Sequence, residues 1–197
     1  DQNINADFYF KISNKHELTK EGFKITPDGN KIIIESPDTV GLMYGGLHVA
    51  EQLELGIKPG KIQPYQVKPA NEFRAIKFNL PWSSYRVHES LQLHYDTCRS
   101  LHFWSEFLDM MAENRFNVLT LWAIHPWTYM VNSDKYPEAN KFDDTEMAEW
   151  HKFWHSLLDM AENRGVRVFM DNWNIYTSPE FSKAHCVAEY SQNLANG

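Results

Sequence analysis

Only two cysteines occur in the chain, Cys98 and Cys186, far apart and with no CxxC or Cys/His spacing. That argues against a disulfide framework or a zinc site and leaves two buried free thiols as the expectation. No apolar run approaches the ~20 residues that span a bilayer. A basic excess is missing too: 19 Lys and Arg against 26 Asp and Glu leave a formal charge of −7. A nucleic-acid groove or an anionic membrane surface would favour the opposite sign, so neither is expected as a partner. Glycine-rich phosphate loops are absent, since Gly41, Gly45 and Gly46 match neither dinucleotide nor P-loop spacing. The helical pair His151 and His155 has i,i+4 spacing but lacks the glutamate of HExxH. No cofactor and no metal are expected. Asp1-Gln2-Asn3 does not begin a signal peptide. The expectation is a secreted or periplasmic chain already processed, with a cytoplasmic one as the alternative.

What is present is an apolar fraction of 43%, ample for a core, and 14% aromatics with seven tryptophans concentrated after position 80. Strands open the chain. Phe8–Ile12 reads as one, and Gly22–Thr26 with Lys31–Glu35 reads as a hairpin around Pro27-Asp28-Gly29-Asn30. Ser36-Pro37-Asp38 then supplies a helix start, and Val40, Tyr44, Leu47 and Leu53 recur at helical spacing. Three glycines inside that helix, each costing roughly 1 kcal/mol against alanine, imply a backbone lying close against a sheet or another domain. Gly56 to Asn71, with Pro59, Gly60, Pro64 and Pro69, breaks regular structure. It divides a small non-catalytic α+β domain, residues 1–70, from a second domain, residues 71–197.

The second domain carries an internal near-repeat. Phe107-Leu108-Asp109-Met110-Met111-Ala112-Glu113-Asn114-Arg115 leads into Asn117–Trp122, and Leu157-Leu158-Asp159-Met160-Ala161-Glu162-Asn163-Arg164 leads into Val166–Asp171. With a strand at Arg74–Leu80 and a helix from about Ser100 through Asn114, the pattern is β-α-β-α-β, that of a parallel sheet. Ile76, Phe78 and Leu80 oppose Lys77 and Asn79; Leu119 and Leu121 oppose Thr120 and Trp122; Val166, Val168 and Met170 oppose Arg167, Phe169 and Asp171. One aliphatic face and one mixed face suit the first β/α units of a (β/α)₈ barrel better than a doubly wound sheet, whose strands are apolar on both faces. A barrel needs ~250 residues, whereas 126 remain from Glu72 to Gly197. The expectation is an incomplete barrel, the front part of a longer enzyme.

Barrel chemistry gathers at the C-terminal ends of strands and in the loops that follow. Three clusters meet that test: Asn79, Trp82 and Arg86; Trp122, His125 and Trp127; Asp171, Asn172, Trp173 and Asn174. Carboxamides, a histidine and aromatic rings suit a polyhydroxylated ligand, whose hydroxyls need donors and acceptors and whose ring faces need flat apolar partners. Each tryptophan could equally be core, and Trp104, Trp150 and Trp154 on helices read as packing residues. Asp171 is the only acid among the strand-end positions, a ligand anchor, a general base or a structural hydrogen-bond acceptor. Hydrolysis of a glycosidic bond normally needs two carboxyl groups. That pair is not visible.

The helix Gly41-Leu42-Met43-Tyr44-Gly45-Gly46-Leu47, placed after a hairpin and before a strand that begins at Arg74, resembles the N-terminal α/β domain of the family 20 β-hexosaminidases and the related α-glucuronidases. Glu113-Asn114-Arg115-Phe116-Asn117-Val118-Leu119 and Asn163-Arg164-Gly165-Val166-Arg167-Val168 are similar to the lead-ins of that group's second and third barrel strands. The resemblance implies a glycoside hydrolase acting on terminal hexosaminide or glucuronide-like sugars of oligo- or polysaccharides. It also implies a catalytic acid on the fourth strand, beyond Gly197. The hexosaminidase pattern is not met at Asn79 and Trp82, where an acid and an arginine would stand, or at Trp122 and His125, where a histidine and an aspartate would stand. Of the acidic pair on strand three, Asp171 is kept and Trp173 replaces the other. Two further readings stay open: a non-catalytic carbohydrate-binding or assembly module, and a barrel lyase or isomerase.

Overall fold

A computed structural model of the protein describes residues 6–13, 17–83, 89–171 and 176–188. They form two compact units, Asp1–Arg74 with the turn Ala112–Arg115, and Ala75–Met111 with Phe116–Gly197.

In the first unit, β1 (Asp7–Ile12), β2 (Phe23–Asp28), β3 (Lys31–Ser36) and β4 (Tyr65–Val67) make one sheet in the order β1-β3-β2-β4. β1 runs parallel to β3, and the other pairings are antiparallel. The hairpin is tighter than the sequence suggests, because Pro27 sits inside β2 opposite Ile32 and only Gly29-Asn30 turns, with Gly29 at φ +60°. Proline is tolerated there because β4 covers only Phe23 to Ile25, so no ladder bond needs its missing N–H.

Helix α1 (Thr39–Glu54) starts at Asp38, whose carboxylate accepts the Gly41 N–H at 2.7 Å and the Glu21 N–H at 2.7 Å. Two of its glycines bear out the expected close approach. A Cβ at Gly41 would meet the Gly22 carbonyl oxygen at 2.6 Å, and one at Gly45 would meet Ile34 Cγ2 at 2.5 Å. Phe23, Ile25, Ile32, Ile34, Tyr44, Val49 and Ile62 form this unit's core. The proline-rich stretch after α1 is more ordered than expected. It holds a 3₁₀ turn at Pro59–Lys61, the buried Ile62 and the edge strand β4. Three residues are too few for an alternating pattern to show. Arg74 ends the unit, its Nε donating to the Arg115 carbonyl at 2.6 Å and its guanidinium paired with Glu21.

The second unit is built on a parallel sheet of β5 (Ala75–Asn79), β6 (Val118–Trp122) and β7 (Arg167–Asp171), in that order. The short helices α2 (Glu89–Gln92) and α3 (Tyr95–Arg99) precede α4 (Leu101–Glu113), which connects β5 to β6. Helix α5 (Asp144–Glu162) connects β6 to β7, and α6 (Pro179–His185) follows. α5 opens on a reciprocal capping box between Asp143 and Glu146. One sheet face, with Ile76, Phe78, Leu119, Leu121, Val168 and Met170, packs into a core completed by Trp104, Leu108 and Met111 of α4 and Phe153, Trp154 and Leu157 of α5. Arg164 ties the helices together, bonding Asp109 at 2.6 Å and Ser105 at 3.0 Å. Each helix of the near-repeat ends in the same hydrogen-bonded turn, Phe116 N–H to the Met111 carbonyl and Val166 N–H to the Ala161 carbonyl. The left-handed residue is Arg115 in the first turn and Gly165 in the second, at φ +60° and +67°.

The thiols differ from expectation. Cys98 is buried, but Cys186, the left-handed cap of α6, is exposed.

Candidate functional site

Strand pairing brings three of the sequence candidates into one row. Asn79 is opposite Trp122, and Trp122 is opposite Asp171, so all three occupy the last register position at the C-terminal edge of the parallel sheet. The alternation puts them on the face away from the helices. The ladder continues past the strand ends, with the Leu80 N–H donating to the Trp122 carbonyl at 2.8 Å and the Ala123 N–H to the Asp171 carbonyl at 3.4 Å. Asn79 and Asp171 are exposed, whereas Trp122 between them is buried. One layer down stand Lys77, Thr120 and Phe169. The Lys77 ammonium reaches up to within 5.6 Å of the Trp122 ring centre.

The loop after β6 carries His125. Its backbone is fixed from both sides: the N–H donates to Ser83 Oγ at 2.9 Å, and the carbonyl accepts Thr128 Oγ1 at 2.8 Å. Ser83 also takes the Ile124 N–H on its carbonyl at 2.9 Å. The loops after β5 and β6 are thereby fastened together, with His125 half-buried at the join.

The tryptophan candidates separate. Trp82 lies in the core, its ring edge-on to Trp150 at 4.8 Å and to Phe153 at 5.7 Å, and its Nε1 donates to the Tyr95 carbonyl at 3.3 Å. Its carbonyl accepts the Tyr129 hydroxyl, and Trp154 Nε1 donates to the Tyr129 carbonyl at 2.7 Å. Burial raises the Tyr129 hydroxyl's pKa well above its ordinary value. These groups form a polar seam through an aromatic core, and Trp82 belongs to that seam. Trp104 and Trp154 are buried packing residues, as expected. Trp127 is the opposite case, 50% exposed. Arg86, Asn172, Trp173 and Asn174 lie outside the described residues.

Trp127 also lines a cavity of about 360 Å³ between the loop after β6 and the start of α6. Tyr136, Asn140, Lys141, Ser178 and Phe181 are among its walls. None of these five is singled out by the sequence. The available signal was the length of the loop from Trp122 to Asp144, since long ordered loops are disproportionately functional. His151 contacts the Met130 carbonyl at 2.7 Å, and among the described residues no cluster of His, Cys, Asp and Glu has metal-binding geometry.

No family model matches the chain, and no curated protein matches it in sequence. Solved structures do match. A GH138 enzyme targeting pectin rhamnogalacturonan II aligns with 91% of this chain and 21% of its own, at 24% identity and a TM-score of 0.77. A β-N-acetylhexosaminidase from Bacteroides fragilis aligns with 93% of this chain and 36% of its own, at 15% identity and a TM-score of 0.61. The GH20 β-N-acetylhexosaminidase from Streptomyces coelicolor aligns with 88% of this chain and 35% of its own, at 12% identity and a TM-score of 0.59. The chain thus spans about a fifth to about a third of these enzymes. Its fold, across both units, is one shared with parts of GH20 and GH138 glycoside hydrolases.

Proposed function

We propose that this chain is the front part of a secreted or periplasmic glycoside hydrolase that removes terminal hexosaminide or glucuronide-like sugars from oligo- or polysaccharides. The observation that carries the reading is the Asn79–Trp122–Asp171 row at the C-terminal edge of a parallel sheet, within a fold shared with sugar-cleaving enzymes. In this reading β5, β6 and β7 are the first three strands of a (β/α)₈ barrel, and the face bearing Lys77, Asn79, Phe169 and Asp171 is its inner wall. Asn79, His125, Asp171 and Asn172 contact the terminal sugar, carboxylate and carboxamides meeting its hydroxyls as acceptors and donors. The pair of carboxyl groups that cleaves the bond belongs to later strands, with Asp171 holding the sugar beside them.

The test uses the full-length polypeptide containing this chain. Purified protein is assayed for sugar release from aryl hexosaminides, aryl glucuronides and rhamnogalacturonan II oligosaccharides. Turnover of one class is expected, with kcat/KM lowered about 100-fold in Asp171→Asn and about 10-fold in Asn79→Ala. No release from any of the three, or release untouched by both substitutions, sinks the reading.

A further inference from the structure

We infer that the cavity between the loop after β6 and α6 is a second carbohydrate subsite, one that holds an acidic sugar unit away from the strand-end row. It rests on the reading that the protein handles oligosaccharides, though not on its cleaving them.

Three observations converge. The volume, about 360 Å³, falls within the range of small-ligand pockets, ~300–1,000 Å³. Aromatic rings supply much of the apolar lining. Trp127 is 50% exposed and Tyr136 39% exposed, and Phe181 stands edge-on to Tyr136 at 5.7 Å. A half-exposed indole lining a pocket can meet the C–H face of a pyranose, and the core tryptophans do not offer it.

The third observation is charge. The chain carries a net −7, yet among the described residues the one charged side chain lining this pocket is that of Lys141. The Lys141 ammonium is held in place by donating to the Tyr129 hydroxyl at 2.7 Å while lying 4.6 Å from that ring's centre. An ammonium has three hydrogens, so a carboxylate can still be met. Lys135, outside the lining, lies 5.3 Å from the ring centre of the lining residue Tyr136. Two carboxylates stand near the pocket without lining it: Glu138 is engaged by His185 at 2.8 Å, and Glu180 acts on the Tyr129 hydroxyl that holds Lys141. A uronate ring, apolar on one face and anionic at one edge, fits this arrangement.

The pocket is also built to keep its shape. Asn140 accepts the Ser133 N–H at 2.7 Å, and Ser178 caps α6 by accepting the Phe181 N–H at 3.2 Å. These two bonds fix one wall residue from the loop and one from the start of α6.

The experiment is calorimetric titration of the full-length polypeptide with tri-galacturonic acid and, in parallel, with neutral cellotriose. Tri-galacturonic acid should bind the wild type, at least tenfold more weakly in Trp127→Ala, and recover most of its affinity in Trp127→Phe. Lys141→Met should weaken the acidic trisaccharide about tenfold, bringing it to the level of the neutral one. Equal binding of the two trisaccharides by the wild type, or tri-galacturonic acid binding that ignores Trp127→Ala, overturns the inference. Trp127-dependent binding by a protein that releases no sugar from any glycoside leaves the pocket standing and removes the hydrolase reading. Glycoside turnover with binding indifferent to Trp127 removes the pocket alone.

Discussion

Trp82 and Trp127 both follow a strand in sequence, but they meet different surroundings. Trp82 is 6% exposed and edge-packed against α5, so Trp82→Ala should destabilise the second unit by about 3–5 kcal/mol, read from urea or guanidinium midpoints. Trp127→Ala should cost under ~0.5 kcal/mol in the same assay. Position after a strand was legible in the sequence; burial was not, because the rings that enclose Trp82 come from a helix far along the chain. The cysteines give a similar lesson. Cys98 is buried and its thiol is pushed up to about 11 by desolvation, while Cys186 is exposed. A thiol reagent at pH 8 should label one site rapidly and the second only on unfolding. Because the folded-state pKa of Cys98 is raised, its contribution to stability is present below the thiol's ordinary pKa and is lost as pH climbs toward 11.

At the scale of elements, the near-repeat was readable because each copy is a long helix closed by a hydrogen-bonded turn and followed by a strand with clear alternation. What escaped reading was short: β4 with three residues, α2 with four and α3 with five. Such elements are held by their neighbours, as β4 is by β2, and their own sequences carry little periodicity. The two turns also make separate predictions. Gly165→Ala places a Cβ at φ +67° and should cost about 1 kcal/mol, whereas Arg115 already accepts that strain at φ +60°. Removing the α5 cap with Asp143→Ala should cost about 1 kcal/mol and lower the melting temperature by a few degrees. Differential scanning calorimetry of the two variants measures both.

For the whole molecule, the informative fact is that one face of the second sheet is packed, whereas on the other the central strand's Val118 and Trp122 are buried and the outer strands' Asn79 and Phe169 are exposed. Phe169 is 46% exposed on that face. If later strands close a barrel over it, Phe169→Ala should cost under ~1 kcal/mol in the 197-residue chain and about 3–5 kcal/mol in the full-length polypeptide, compared by denaturant unfolding. Equal small losses in both would count against closure. The mixed composition of this face was legible from the alternation alone.

The row at the sheet edge is positioned by backbone ladder bonds, from Leu80 to Trp122 and from Ala123 to Asp171. Asn79 and Asp171 are therefore interchangeable fittings on a fixed rail. A replacement at either place changes the side chain displayed at the edge and leaves those backbone bonds in place. Evolution can retune such an edge one residue at a time. The same fold occurs in an enzyme targeting a pectin and in β-N-acetylhexosaminidases, so the architecture does not by itself fix the sugar.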